Sequence, residues 1–263
     1  KWWTTTRENF PPFDYWHRSS KPTQMAPLTT ATSVVGIQFK DGIVIAADVL
    51  GSYGSLARFR NCQRIMKVND NIILGAGGDF ADFQYLKNII EQKILEEDCL
   101  DDGFALKPKS LHCWLTRVMY NRRSKFDPFW NNFIIAGLED GEPFMGTVDK
   151  LGTAYIDPVI ATGYGAYMAT PMLRKALDSK PDLNKEEAIE ILTKAMQVLF
   201  YRDARSFPKV SNNIIASRYA QFYREVLRCR SNENIAAMDF WPLILHISIL
   251  CCSIKLELSL KKV

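Results

Sequence analysis

Three histidines, His17, His112 and His246, are the first residues to weigh for chemistry. His17 lies in a proline- and aromatic-rich opening arm, His112 in a helix-like pattern, and His246 in an apolar run. No Ser/His/Asp triad can be assembled from them. The cysteines, Cys62, Cys99, Cys113, Cys229, Cys251 and Cys252, form no Cys-x-x-Cys and no Cys/His pair at ligand spacing. The sequence therefore offers no metal site, and no cofactor is expected. Spread through a long chain, these cysteines read as reduced core residues of an intracellular protein. Gly75-Ala76-Gly77-Gly78 lacks the Lys-Ser/Thr of a phosphate loop and the GxGxxG fingerprint, so it reads as a backbone turn. What remains is a threonine, Thr32, at the head of the first β-branched run.

The elements that must position Thr32 alternate between hairpins and helix pairs. Thr32–Phe39 and Ile43–Asp48 flank Lys40-Asp41-Gly42, a hairpin signal. The second run lacks strict alternation, so burial on both faces is expected. Arg64–Val68 and Ile72–Leu74 form another pair around Asn69-Asp70-Asn71. Phe83, Leu86, Ile90 and Ile94 recur at helical spacing, with Glu96, Glu97 and Asp98 crowding the C-terminal end against the helix dipole. Ser110 can cap a second helix carrying Leu111, Trp114, Leu115 and Val118 on one face.

Strands resume at Phe133–Leu138, Phe144–Asp149 and Thr153–Ile156. Helices follow over Ala166–Leu177 and from Asn184, where Glu187 three residues on makes a capping-box start. This order predicts an α+β fold, with two stacked antiparallel sheets and helices outside.

With 263 residues, 47% hydrophobic and 24% charged, the chain has the composition of a folded soluble protein and can bury a core without staples. A formal charge of +4, from 33 basic and 29 acidic residues, is too small and too dispersed to argue for nucleic acid. No secretory signal is visible at Lys1-Trp2-Trp3-Thr4. The apolar run Phe240–Ile254 is shorter than the about 20 residues a membrane-spanning helix needs.

Thr32–Phe39 and Asp41–Asp48 together resemble the opening hairpin of proteasome beta subunits. Gly75-Ala76-Gly77-Gly78-Asp79 resembles the family's glycine turn before its first helix, and Tyr201-Arg202-Asp203-Ala204 its YRDA signature. Gly51–Asn61, Asp82–Leu86, Trp114–Arg117 and Ala161–Tyr167 are similar to one noncatalytic beta type in particular, that of the seventh beta position of the eukaryotic ring. The resemblance runs from about Thr23 to Lys209.

It implies an N-terminal nucleophile hydrolase fold, a four-layer αββα sandwich. In active members a terminal threonine is the nucleophile and its own α-amine the base. An Asp, a Lys and a Ser–Asp–Ser group complete the site.

On that comparison Thr32 aligns with the nucleophile and Asp48 with the Asp. Arg64 stands where active members carry Lys, and arginine, always protonated and planar, cannot serve as a neighbour of tunable pKa. Tyr164, between Gly163 and Gly165, replaces a Ser, and its ring is expected to fill space beside the nucleophile. Ala31 replaces the Gly that self-cleavage uses, and Phe207-Pro208 replaces Gly-Gly, while Asp203 and Ser206 persist. Thr32 is therefore expected to be an internal strand residue with its amide in the chain. Asp48 is expected to pair with Arg64, and Asp203 and Ser206 to hold a helix end.

Residues 1–22 read as a leader cut before Thr23, residues 23–210 as the beta-subunit domain, and residues 211–263 as a divergent tail. In that tail Ile215, Tyr219, Phe222, Tyr223, Val226 and Leu227 follow a helical spacing, where the family pattern has a further hairpin. Lys255–Leu260 alternates like an edge strand.

The expected function is a noncatalytic, structural subunit of the 20S core. Its partners would be the other alpha and beta subunits in stacked seven-membered rings, in cytoplasm and nucleus, with no nucleic acid, membrane, cofactor or metal. The rivals are an active threonine peptidase and a non-incorporated aberrant isoform.

Overall fold

The computed structural model describes residues 27–100, 102–103, 105–216 and 219–228. The arm 1–22, His17, the cut before Thr23, His246, Cys229, Cys251, Cys252 and the stretches Phe240–Ile254 and Lys255–Leu260 lie outside the described residues.

In chain order the elements are β1 (Thr29–Ala31), β2 (Val34–Phe39), β3 (Gly42–Asp48), β4 (Gly51–Tyr53), β5 (Leu56–Phe59), β6 (Ile65–Asn69), β7 (Ile72–Asp79), α1 (Phe80–Leu100) and α2 (Pro108–Ser124). They continue with β8 (Asn131–Glu139), β9 (Glu142–Val148), β10 (Ala154–Ile156), β11 (Val159–Ala161), α3 (Gly165–Ser179), α4 (Lys185–Arg202), β12 (Lys209–Ala216) and β13 (Tyr219–Arg228). Every strand pair is antiparallel. One sheet has the order β10-β9-β8-β7-β1-β4-β5, with β6 also on β7, and the other β11-β2-β3-β12-β13.

The side chains sort these sheets into layers. Along β2 and β3, Val34, Ile43, Ile45 and Ala47 join Ile73, Ile134 and Met145 between the sheets. Their neighbours Val35, Ile37, Val44 and Ala46 point the other way, onto Leu173, Leu192 and Leu199 of α3 and α4. Strand residues alternate faces, so a strand buried on both sides is apolar throughout. On the far side, Leu74, Ala76, Phe133 and Ile135 meet Phe83, Leu86, Leu111 and Leu115 of α1 and α2. The result is the expected αββα sandwich.

Four local expectations change. The Gly75–Gly78 segment is no turn: β7 runs unbroken to Asp79, pairing Gly78 with Asn131 on one edge and with Ala31 on the other. Ser110 does not cap α2, which starts at Pro108 after Lys107. Proline suits the first helical position because its missing N–H has no intrahelical partner there. Cys62 is buried, but Cys99 and Cys113 are exposed on the helices, so the core reading fails for those two.

Finally, the helical spacing after Val210 is misleading. Residues 209–228 carry β12 and β13, a hairpin registered from Lys209 opposite Arg228 to Ala216 opposite Tyr219. β12 also lies along β3 from Val210 to Ala216. An apolar periodicity over so short a run cannot separate helix from strand, and tertiary pairing with β3 decides it.

The start of α4 is as expected. The Asn184 N–H donates to the Glu187 carboxylate at 3.1 Å. Buried Ala188, Leu192, Ala195 and Leu199 form its inner stripe.

Candidate functional site

Thr32 and Ser33 form the link by which the chain leaves one sheet at β1 and enters the other at β2. Thr32 is thus a crossover residue rather than the first residue of a strand. The segment ahead of it is itself built into the sheet: β1 lies between β7 and β4, with Thr30 opposite both Asp79 and Ser52.

Three of the expected site residues meet here. The Thr32 hydroxyl donates to Asp48 Oδ1 at 2.8 Å. Arg64 forms an ion pair with the same Asp48 oxygen, and both side chains are fully buried. The other Asp48 oxygen, Oδ2, accepts the Phe207 N–H at 3.0 Å. The remaining Arg64 donors go to backbone oxygens: Nε to Asp48 O at 3.0 Å, Nη1 to Thr32 O at 2.9 Å and Ala76 O at 3.4 Å, and Nη2 to Ser33 O at 3.3 Å. Nη2 also reaches the Thr32 hydroxyl at 3.4 Å. One guanidinium therefore ties the crossover to β7, to the end of β3 and, through Asp48, to the loop after α4.

Burial pushes the Arg64 guanidinium down to about 9, and the charge of Asp203 opposes that drop. It stays protonated at neutral pH. Arginine only donates hydrogen bonds, so it offers Thr32 no base. Both Asp48 oxygens are engaged, and the Thr32 nitrogen is a peptide amide in this chain. The arrangement is suited to holding backbone in place.

Asp203 and Ser206 stand at the end of α4, as expected. The Asp203 N–H donates to Leu199 O at 2.8 Å, Asp203 O accepts the Ser206 N–H at 3.1 Å, and Asp203 Oδ1 accepts the Arg205 N–H at 3.0 Å. Tyr164 is the residue that opens α3. It is 59% exposed at the start of α3. It lines an open cavity of about 600 Å³ with Tyr155, Thr162 and Tyr167, whose walls do not include Thr32. Gly163 has φ +61, a left-handed turn that leads the chain into the start of α3.

Nothing in the sequence pattern marks the residues that brace the crossover from beneath. The Ser33 hydroxyl accepts the Gly165 N–H at 2.9 Å, and the Thr162 hydroxyl accepts the Val34 N–H at 3.0 Å. Asp79 does carry a signal, as an acid directly before a helical pattern. Its Oδ2 accepts the Asp82 N–H at 3.2 Å and caps α1, while Oδ1 accepts the Leu28 and Thr29 N–H groups at 3.2 and 3.3 Å. Asp79 thereby fastens the segment that leads into Thr32.

His112 is a core residue whose Nε2 lies 3.2 Å from Thr147 O, and its ring meets Phe144 edge-on. Among the described residues no cluster of His, Cys, Asp or Glu could hold a metal ion, and no helix is long and apolar enough to cross a membrane.

The family model described as proteasome subunit matches residues 28–215, which carries the likeness beyond Val210 and into β12. The chain is 59% identical over 181 residues to proteasome subunit beta type-4 of Xenopus laevis, covering 69% of this chain and 75% of that one. It is 46% identical over 182 residues to beta type-4 of Drosophila melanogaster, covering 69% and 68%. It is 43% identical over 221 residues to beta type-7 of Saccharomyces cerevisiae, covering 81% and 83%. Two antiparallel sheets between helix pairs, a threonine at the crossover and matches of this extent lead to one conclusion: the chain belongs to the proteasome subunit family.

Proposed function

We propose that the chain is a noncatalytic, structural beta subunit of the 20S core. It completes a seven-membered beta ring in contact with alpha and beta neighbours. It also walls the chamber in which other subunits cut proteins delivered with or without ubiquitin, in cytoplasm and nucleus. Ring neighbours meet through heterologous interfaces that close into a circle.

The observation that carries this reading is β1. A nucleophilic Thr32 needs a free α-amine, so residues 27–31 would have to leave. Yet β1 joins β7 to β4, and Asp79 anchors its start. Removing it would detach the β4–β5 hairpin from the rest of the sheet. A cut before Thr23, made by an active neighbour, leaves β1 in place.

Intact-mass measurement of the chain from assembled particles is expected to give a terminus at Thr23. A terminus at Thr32 would favour the active-peptidase alternative. Labelling gives an independent check. A proteasome-directed electrophile is expected to leave this chain unmodified, and Thr32→Ala to leave the peptidase rates of the particle unchanged. Loss of a true nucleophile costs on the order of 10⁶ in kcat at its own site, so an active Thr32 would show as the disappearance of this chain's share of the particle's activity. The aberrant-isoform alternative is weakened by β12 and β13, which cover the edge of β3 that a lost hairpin would expose. Co-purification with alpha and beta subunits tests it.

A further inference from the structure

We infer that the β4–β5 hairpin is a docking edge for a neighbouring subunit, one that presents an extended segment with carboxylates set among apolar side chains. The inference rests on the reading of the chain as a ring subunit. Among the described residues β5 is the last strand of its sheet and pairs only with β4. All four of its residues are exposed. Its outward backbone groups have no strand partner among the described residues, and such an edge is the kind to which extended chains add as strands.

The side chains along that edge are unusual for open surface. Tyr53 is 43% exposed, Leu56 61%, Phe59 43%, and Leu28, next to the Thr29–Tyr53 pair, 48%. Single exposed apolar residues are ordinary, but Leu56 and Phe59 on β5, Tyr53 opposite Leu56 on β4 and Leu28 just ahead of β1 are four on three neighbouring strands. Arg58 stands over the Tyr53 ring at 5.4 Å and the Phe59 ring at 5.3 Å. Stacking of this kind fixes the guanidinium while leaving its planar N–H fork available to a carboxylate.

Charge selects the partner. Between Asp48 and Asp70 the chain has no acidic residue. Among the described residues neither Arg58 nor Arg60 takes part in an ion pair. Two cationic edges of this type repel one another, which argues against a second copy and for an acidic complement.

The test uses the full chain assembled in cells, with a photo-reactive phenylalanine analogue at Leu56. Irradiated particles are expected to yield a cross-link to one other subunit, in a peptide with Asp or Glu within a few residues of the linked atom. Arg58→Glu with Arg60→Glu is expected to lower incorporation into particles about tenfold or more, without changing the urea midpoint of the isolated chain. Replacing both with lysine is expected to lower it less. Three results would overturn the proposal: no inter-subunit cross-link, a cross-link into a peptide without acidic residues, or full incorporation of the charge-reversed chain. If the unsubstituted chain is itself absent from particles, the ring-subunit reading fails and the docking edge fails with it. If that chain assembles normally and only these variants disagree, the docking edge alone is refuted.

Discussion

Asp48→Ala is expected to lower the unfolding free energy of the full chain by about 3–5 kcal/mol, read from urea denaturation. Asp48 and Arg64 are both fully buried, and their ion pair is the only one in which Arg64 takes part among the described residues. Without the carboxylate the guanidinium keeps its backbone acceptors on Thr32, Ser33, Ala76 and Asp48 itself. Carbonyl dipoles can hold a cation in place, but they do not cancel its charge, so the loss is electrostatic first. The substitution also leaves the Phe207 N–H and the Thr32 hydroxyl without their acceptor. Each unsatisfied group adds about 1–3 kcal/mol where water cannot reach it.

Two companion variants separate these effects. Asp48→Asn keeps an oxygen for one of the two donors and is expected to lose less than alanine, though the charge stays uncompensated. Arg64→Met combined with Asp48→Asn removes both charges and is expected to recover part of the loss. Recovery should be incomplete, because the carbonyls of Thr32, Ser33 and Ala76 then lose their donor. A loss below about 1 kcal/mol for Asp48→Ala, the range of exposed pairs, would mean that water reaches the pair and that it does not hold the crossover.

The members of this network are legible in the sequence, but their geometry is not. Thr32 stands out by its place at the head of a β-branched run, whereas Asp48 and Arg64 are singled out only by the resemblance to proteasome beta subunits. The structure joins all three. The sandwich is equally legible, because an unbroken apolar run marks β3 as buried on both faces and one apolar stripe each marks α1 and α4.

Elements with no period of their own were not visible. β1 is Thr-Thr-Ala, and β5 is exposed throughout. Their conformation is imposed by the strands beside them and by Asp79, not by local preference. The same tertiary control overrides the helical spacing around Tyr219–Leu227, where β12 supplies a pairing edge.

Gly78→Ala is expected to be the most damaging single change near the site, with a loss above about 4 kcal/mol and little folded chain recovered. Gly78 sits within β7 at φ +94, a conformation that side chains with a Cβ rarely adopt. A Cβ there would lie 1.9 Å from Trp130 O and 3.0 Å from Asn131 Cα, both backbone atoms of the adjoining chain. That chain cannot simply retreat. Trp130 O accepts the Asp79 N–H at 2.8 Å, and Asn131 Nδ2 donates to Gly77 O at 3.1 Å and Asp79 O at 2.8 Å. Moving it would pull Asp79 away from Leu28 and Thr29, and so release β1 ahead of Thr32.

Gly36→Ala is the control. Its added Cβ would lie 2.8 Å from Met145 Sδ, the far end of a flexible side chain that can turn aside. A cost of about 1–3 kcal/mol is expected there, with the fold retained. If Gly78→Ala unfolds within about 1 kcal/mol of the unsubstituted chain, the close approach of β7 to Trp130 is not what fixes Asp79, and the anchoring of β1 has another source.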